Sequence, residues 1–155
     1  MAKKTALGAF AYHTLDMRRS SAWRHLPDNA RRVLDRLEVE HMEHAGSENG
    51  ALVCTYSDMA ACGIRRASVS LAIRQCVELG FLKVTVGRRA IAQHRAPSLY
   101  RLTYVVERKT GSLKQDEPTH EWRRIKTDDD ARAALAKADC DRNFETQAPL
   151  RMAAE

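Results

Sequence analysis

Gly63-Ile64-Arg65-Arg66-Ala67-Ser68-Val69-Ser70-Leu71-Ala72-Ile73-Arg74 is the stretch on which the reading of this 155-residue chain turns. Val69, Ala72, Ile73 and Cys76 recur at helical spacing and can bury one side. Arg65, Arg66, Ser68, Ser70, Leu71 and Arg74 are then left to project away from that core. The stretch predicts a tight turn opening a helix with a basic outer face, a shape that fits a DNA major groove.

The neighbouring residues extend the pattern in both directions. Thr55-Tyr56-Ser57-Asp58-Met59-Ala60-Ala61-Cys62 offers an N-cap and a short apolar helix that ends before Gly63, and glycine supplies the positive φ that a short inter-helix turn needs. Beyond Leu79-Gly80, the run Phe81-Leu82-Lys83-Val84-Thr85-Val86 alternates like a half-buried strand and leads into a basic Gly87-Arg88-Arg89 turn. A second strand, Leu99 to Tyr104, follows Pro97, and the short run Ala51 to Cys54 can pair with the hairpin. Helix, turn, helix and a two-stranded hairpin with a basic tip is the element order of a winged helix.

Residues 51–104 resemble winged helix-turn-helix DNA-binding proteins, on the run Gly63 to Ile73 closed by Leu79-Gly80-Phe81-Leu82. More narrowly, Ser21-Ala22-Trp23-Arg24-His25-Leu26, Glu40-His41-Met42, Asn49-Gly50, Tyr100-Arg101-Leu102-Thr103 and Pro118-Thr119-His120-Glu121-Trp122 resemble small helix-turn-helix proteins of alpha-proteobacteria, their plasmids and phages. The resemblance spans residues 20–126 and implies fold and location more than a biological role. The expected fold is mainly α with a small antiparallel β hairpin (α+β), a winged helix-turn-helix carrying N-terminal and C-terminal helical extensions.

The bulk composition agrees with one domain plus extensions. The chain is 44% hydrophobic, 6% aromatic and 30% charged, and no apolar run approaches the roughly 18 residues of a membrane span. A cytoplasmic, nucleoid-associated protein with no membrane partner is expected. The net charge of +6 is unevenly spread: residues 1–110 carry 18 Lys+Arg against 10 Asp+Glu, whereas residues 111–155 carry 8 against 10. The basic character therefore belongs to the part expected to meet phosphate. Cys54, Cys62, Cys76 and Cys140 form no metal-ligand spacing, and Cys62 and Cys76 fall where small buried side chains are wanted.

Along the chain, residues 1–15 read as a flexible arm and 16–104 as the winged helix-turn-helix domain. Within it, a helix from Asp16 to Leu26 is anchored by Trp23. A second helix opens with Pro27 at its first position and runs to about His44, on the stripe Ala30, Val33, Leu34 and Leu37. Its Arg31, Arg32 and Arg36, set among Asp35 and Glu38, read as a solvated face. Residues 105–126 read as a connector with a docking point at Trp122, 127–139 as a C-terminal helix capped by Thr127, and 140–155 as a disordered tail. That last helix is thinly hydrophobic, suited to a partner chain or to solvent.

No phosphate loop, nucleophile elbow or zinc-protease motif occurs, so no catalytic residue and no cofactor is assigned. His41 and His44 lack a third ligand, and Asp128-Asp129-Asp130 is better explained as the charge complement of a helix start, so no metal is assigned either. The expected partner is double-stranded DNA, with a homodimer as a further option. In this reading the recognition helix 65–79 enters the major groove. Arg65 and Arg66 reach base edges or phosphates, Ser68 and Ser70 add contacts, and Arg74 grips the backbone. A wing at 87–97 brings Arg88, Arg89, His94 and Arg95 to the flanking backbone. A transcriptional regulator, a replication or maintenance factor of a plasmid or mobile element, and a protein-interaction adaptor are the three roles this architecture serves.

Overall fold

The computed structural model describes residue 11 and residues 13–85, 97–108 and 115–141. These form a mixed α+β fold of six α-helices, a three-stranded antiparallel sheet and a separate two-stranded ribbon. No helix among them is long and apolar enough to cross a membrane.

The first expected helix is two. Helix α1 (Leu15–Arg19) is capped by Thr14, and α2 (Ser21–Arg24) by Ser20. Ser20 makes the break: its backbone is extended, and its hydroxyl donates to the Met17 carbonyl (2.7 Å) while accepting from the Trp23 amide (3.1 Å). One side chain thus closes one helix and opens the next. Trp23 then lies edge-on to Phe81, with ring centroids 5.5 Å apart, and the guanidiniums of Arg18 and Arg31 lie over its ring.

Helix α3 (Asp28–Glu43) is the scaffold, and Ala30, Val33, Leu34 and Leu37 are all buried. Pro27 precedes it with extended backbone and serves as N-cap, one residue earlier than the expected first helical position. Of the arginines expected on a solvated face, Arg32 is exposed, whereas Arg31 and Arg36 are half-buried. Arg31 donates to the Trp23 carbonyl in α2 and to the Leu26 carbonyl just beyond it, and Arg36 pairs with Glu40 at 3.0 Å. Glu38 is buried at the same level. It accepts from the Tyr104 hydroxyl (2.5 Å) and lies 2.6 Å from His13 Nε2. Residue 13, at the end of the expected flexible arm, is therefore docked; residues 1–10 and 12 lie outside the described residues.

Strand β1 (Leu52–Val53), β2 (Leu82–Thr85) and β3 (Leu99–Leu102) order as β1-β3-β2, each pair antiparallel. Val84 faces Tyr100 and Leu82 faces Leu102, so one face of the hairpin closes the core. The turn before β1 contributes more than a reversal. Buried Asn49 donates to the Leu102 and Val105 carbonyls (2.9 and 3.0 Å) and accepts from the Leu102 amide (2.8 Å), tying the turn to β3.

The C-terminal part departs most from expectation. Within the expected connector, β4 (Glu107–Arg108) pairs with β5 (Gln115–Asp116), and a 3-10 turn (Glu121–Arg124) buries Trp122. Helix α6 (Asp128–Cys140) packs on this chain's own helix at residues 66–78 and does not merely extend into solvent. Ala131 and Ala138 are fully buried there, because alanine lets two helix backbones approach closely even though it offers little apolar area. Cys140 closes α6, and residues 142–155 lie outside the described residues. Of the two cysteines expected in the core, Cys76 is buried, its thiol pushed up by burial, whereas Cys62 is exposed.

Candidate nucleic-acid interface

Helix α4 (Tyr56–Ala61) opens with a reciprocal cap: the Thr55 hydroxyl accepts from the Asp58 amide, and the Asp58 carboxylate accepts from the Thr55 amide. The Thr55 hydroxyl and backbone N–H hold the Asp58 carboxyl below its ordinary value. After α4 the chain turns through Cys62 and Gly63, the latter at φ 88°, and buried Ile64 pins the turn to the core. Helix α5 (Arg66–Glu78) then begins, with Arg65 as its N-cap residue. Val69, Ala72, Ile73 and Cys76 are buried as their spacing predicts.

The first turn of α5 is the open part of the helix. Arg65, Arg66 and Ala67 are exposed, and Ser68, Ser70 and Leu71 are half-buried. Arg66 Nη1 donates to the Ser57 hydroxyl at 3.1 Å, which orients the guanidinium across the start of α4. The first turn of α5 carries no acidic residue, whereas α3, α4 and α6 each carry at least one. The positive end of the α5 dipole is thus reinforced by two arginines and offset by no carboxylate of its own first turn.

Arg74 is not part of this surface. It is 9% exposed, its Nε donates to the Ala138 carbonyl (2.9 Å) and its Nη1 to the Ser70 hydroxyl (2.7 Å). The expected grip on a DNA backbone is corrected accordingly: α6 covers the position that helical spacing assigns to the outside. Ser70 is partly occupied by the same contact. Arg88, Arg89, His94 and Arg95 lie outside the described residues, in the connection between β2 and β3.

Two positioning groups escape the sequence pattern. Arg32 Nη1, from α3, donates to the Gly63 carbonyl at 2.9 Å and so holds the turn between α4 and α5. Arg124 Nη2 donates to the Val77 and Glu78 carbonyls (3.1 and 2.8 Å), capping the C-terminal end of α5 from 46 residues or more downstream. Neither has a local signal, because each acts on backbone carbonyls distant in sequence. Among the described residues no three His, Cys, Asp or Glu side chains are grouped to hold a metal ion. His41 is buried near the end of α3, and exposed His44 turns to the Glu40 carbonyl and carboxylate. No protein-family model, curated protein or solved structure matches the chain.

Proposed function

We propose that this chain is a winged helix-turn-helix protein that binds double-stranded DNA in a sequence-specific manner, with α5 as the recognition helix. The observation that carries the reading is the exposed first turn of α5, where Arg65 and Arg66 stand at an acid-free helix N-terminus directly after the α4 turn. Arginine there can take the O6 and N7 of guanine in a bidentate contact, or a phosphate. Ser68 adds a short polar contact on the same turn. The connection carrying Arg88, Arg89, His94 and Arg95 would meet flanking backbone as the wing.

A transcriptional regulator acting in the cytoplasm is the role we favour, with a replication or maintenance factor of a mobile element sharing the same binding mode. Those two roles differ in whether the bound site lies at a promoter or an origin. The adaptor reading is less favoured, since a protein-docking face gives no use to paired arginines on an acid-free helix start. Selection of bound duplexes from a random pool, at two salt concentrations, tests the proposal. An enriched motif with steep salt dependence is the expected result, and an absence of binding at low salt overturns it.

A further inference from the structure

Helix α5 and the C-terminal segment that includes α6 exchange arginines. Ala138 lies in the last turn of α6, where backbone carbonyls have no helical donor, and its carbonyl receives the buried Arg74 of α5 at 2.9 Å. In return, Arg124, just before α6, fills the Val77 and Glu78 carbonyls at the end of α5. Each cation meets the negative end of the other segment's helix, which suits both dipoles. Lys137 adds an exposed ion pair to Glu78 at 2.9 Å, and the start of α6 is tied back to α2 through Arg24 and Asp128 at 2.9 Å. A guanidinium at 9% exposure is costly to bury unless its donors are taken, and here two of them are satisfied by fixed acceptors.

The consequence falls on the open end of α5. The clasp holds the C-terminal half of the helix, while the first turn, with Arg65 and Arg66, remains exposed. We infer that Arg74 is a positioning residue for DNA binding: by fastening α5 to α6 it sets the angle at which Arg65 and Arg66 are presented, and it makes no phosphate contact of its own. This rests on the DNA-binding reading given above. It also assigns the C-terminal segment a part in recognition, though none of its residues need touch DNA.

The test uses the full chain with a duplex taken from the random-pool selection, comparing wild type, Arg74→Met and Ala138→Pro. Methionine keeps the buried stem and loses both donations, whereas proline distorts the last turn of α6 and leaves Arg74 intact. Both variants are expected to bind about tenfold more weakly, because loss of the shared Arg74–Ala138 hydrogen bond lowers the population of α5 held in the binding-competent position. Their log–log salt slopes should match wild type, because no phosphate contact is removed. A slope lower by about 0.9 in Arg74→Met, with Ala138→Pro at wild-type affinity, identifies Arg74 as a phosphate ligand and overturns the inference. If Arg74→Met does not fold, Ala138→Pro decides by the same criterion: weakened binding at unchanged slope supports the clasp, and unchanged affinity overturns it. Hydrogen exchange without DNA supplies a separate readout. The amides of residues 74–79 should exchange faster in Ala138→Pro, and unchanged protection overturns the clasp. If wild type selects no duplex at all, the DNA reading fails, and the exchange result still decides whether Arg74 fastens α5.

Discussion

Replacing Gly80 with alanine is expected to destabilise the fold by about 2 to 5 kcal/mol, a large share of the roughly 5 to 15 kcal/mol that a domain of this kind possesses. Gly80 follows α5 at φ 85°, and an L-residue in left-handed backbone costs about 1 to 2 kcal/mol. The added Cβ would also meet the Glu121 carbonyl carbon and the Trp122 nitrogen at 2.6 Å, and the Glu121 oxygen at 2.7 Å. These are backbone atoms, so no side-chain rotation relieves the contact. The segment cannot withdraw easily, because Trp122 is buried, the Thr103 hydroxyl donates to the Gly80 carbonyl at 2.6 Å, and the His120 amide donates to the Thr103 carbonyl at 2.9 Å. Forcing such a packed region apart adds about 1 to 3 kcal/mol. Gly63→Ala is the control: its φ of 88° carries the same conformational cost, but its new Cβ meets only the end of the exposed Arg32 side chain, which can swing away into solvent, where water replaces its hydrogen bond to the Gly63 carbonyl. Urea unfolding followed by the fluorescence of Trp23 and Trp122 measures both variants. Gly80→Ala should fall below Gly63→Ala by about 1 to 3 kcal/mol, the packing share of the cost. Equal losses would refute the argument, since residues 121–122 would then be yielding freely and would not be locked to the end of α5.

Four further outcomes are expected. Arg66→Ala should weaken specific binding by about 1 to 3 kcal/mol and broaden base preference at one position, read by repeating the selection with the variant. Asn49→Ala removes three hydrogen bonds to β3 and its exit, leaving the buried Leu102 carbonyl and amide and the half-buried Val105 carbonyl to find other partners, so a loss of about 2 to 4 kcal/mol in urea unfolding is expected. Tyr104→Phe removes the hydroxyl that donates to buried Glu38 while His13 stays beside the same carboxylate, at a cost of about 1 to 3 kcal/mol. Acid should erode both capping boxes. Asp58 is lowered chiefly by the Thr55 hydroxyl, and Asp130 chiefly by the Thr127 backbone N–H, from an ordinary value of 3.8. A lowered folded pKa gives stability that is present above the unfolded value and is lost as pH falls through the folded one. The melting temperature should therefore drop below about pH 4, and less steeply in an Asp58→Ala, Asp130→Ala double variant, as linkage requires.

The features legible in the sequence are those whose causes are local. Thr55 and Asp58 sit at the spacing of a capping box, Gly63 supplies the left-handed turn, and the stripe Val69, Ala72, Ile73 and Cys76 orients α5, all within 22 residues. The hairpin between β2 and β3 follows from alternation, and Trp23 and Trp122 declare themselves as buried anchors by size. The break at Ser20 was a local signal too, but a capping serine and a mid-helix serine look alike until the hydroxyl's partners are known.

Arg74 departs from the expectation that helical spacing sets for a physical reason. Periodicity divides a helix between one buried stripe and everything else, which holds only while the helix has neighbours on a single side. Helix α5 has α3 behind it and α6 beside it, and the second neighbour arrives 64 residues later in the chain at Ala138. Nor did the composition of α6 announce it, since a helix whose fully buried residues are Ala131 and Ala138 offers little apolar area. The same small side chains are what allow the contact. The Ala138 carbonyl lies 2.9 Å from the Arg74 Nε on α5, with no bulky side chain of its own residue beside it. A helix of this kind contributes through the Ala138 carbonyl it delivers as well as the modest surface of Ala131, Ala134 and Leu135, so it passes unnoticed in any reading that ranks segments by hydrophobicity.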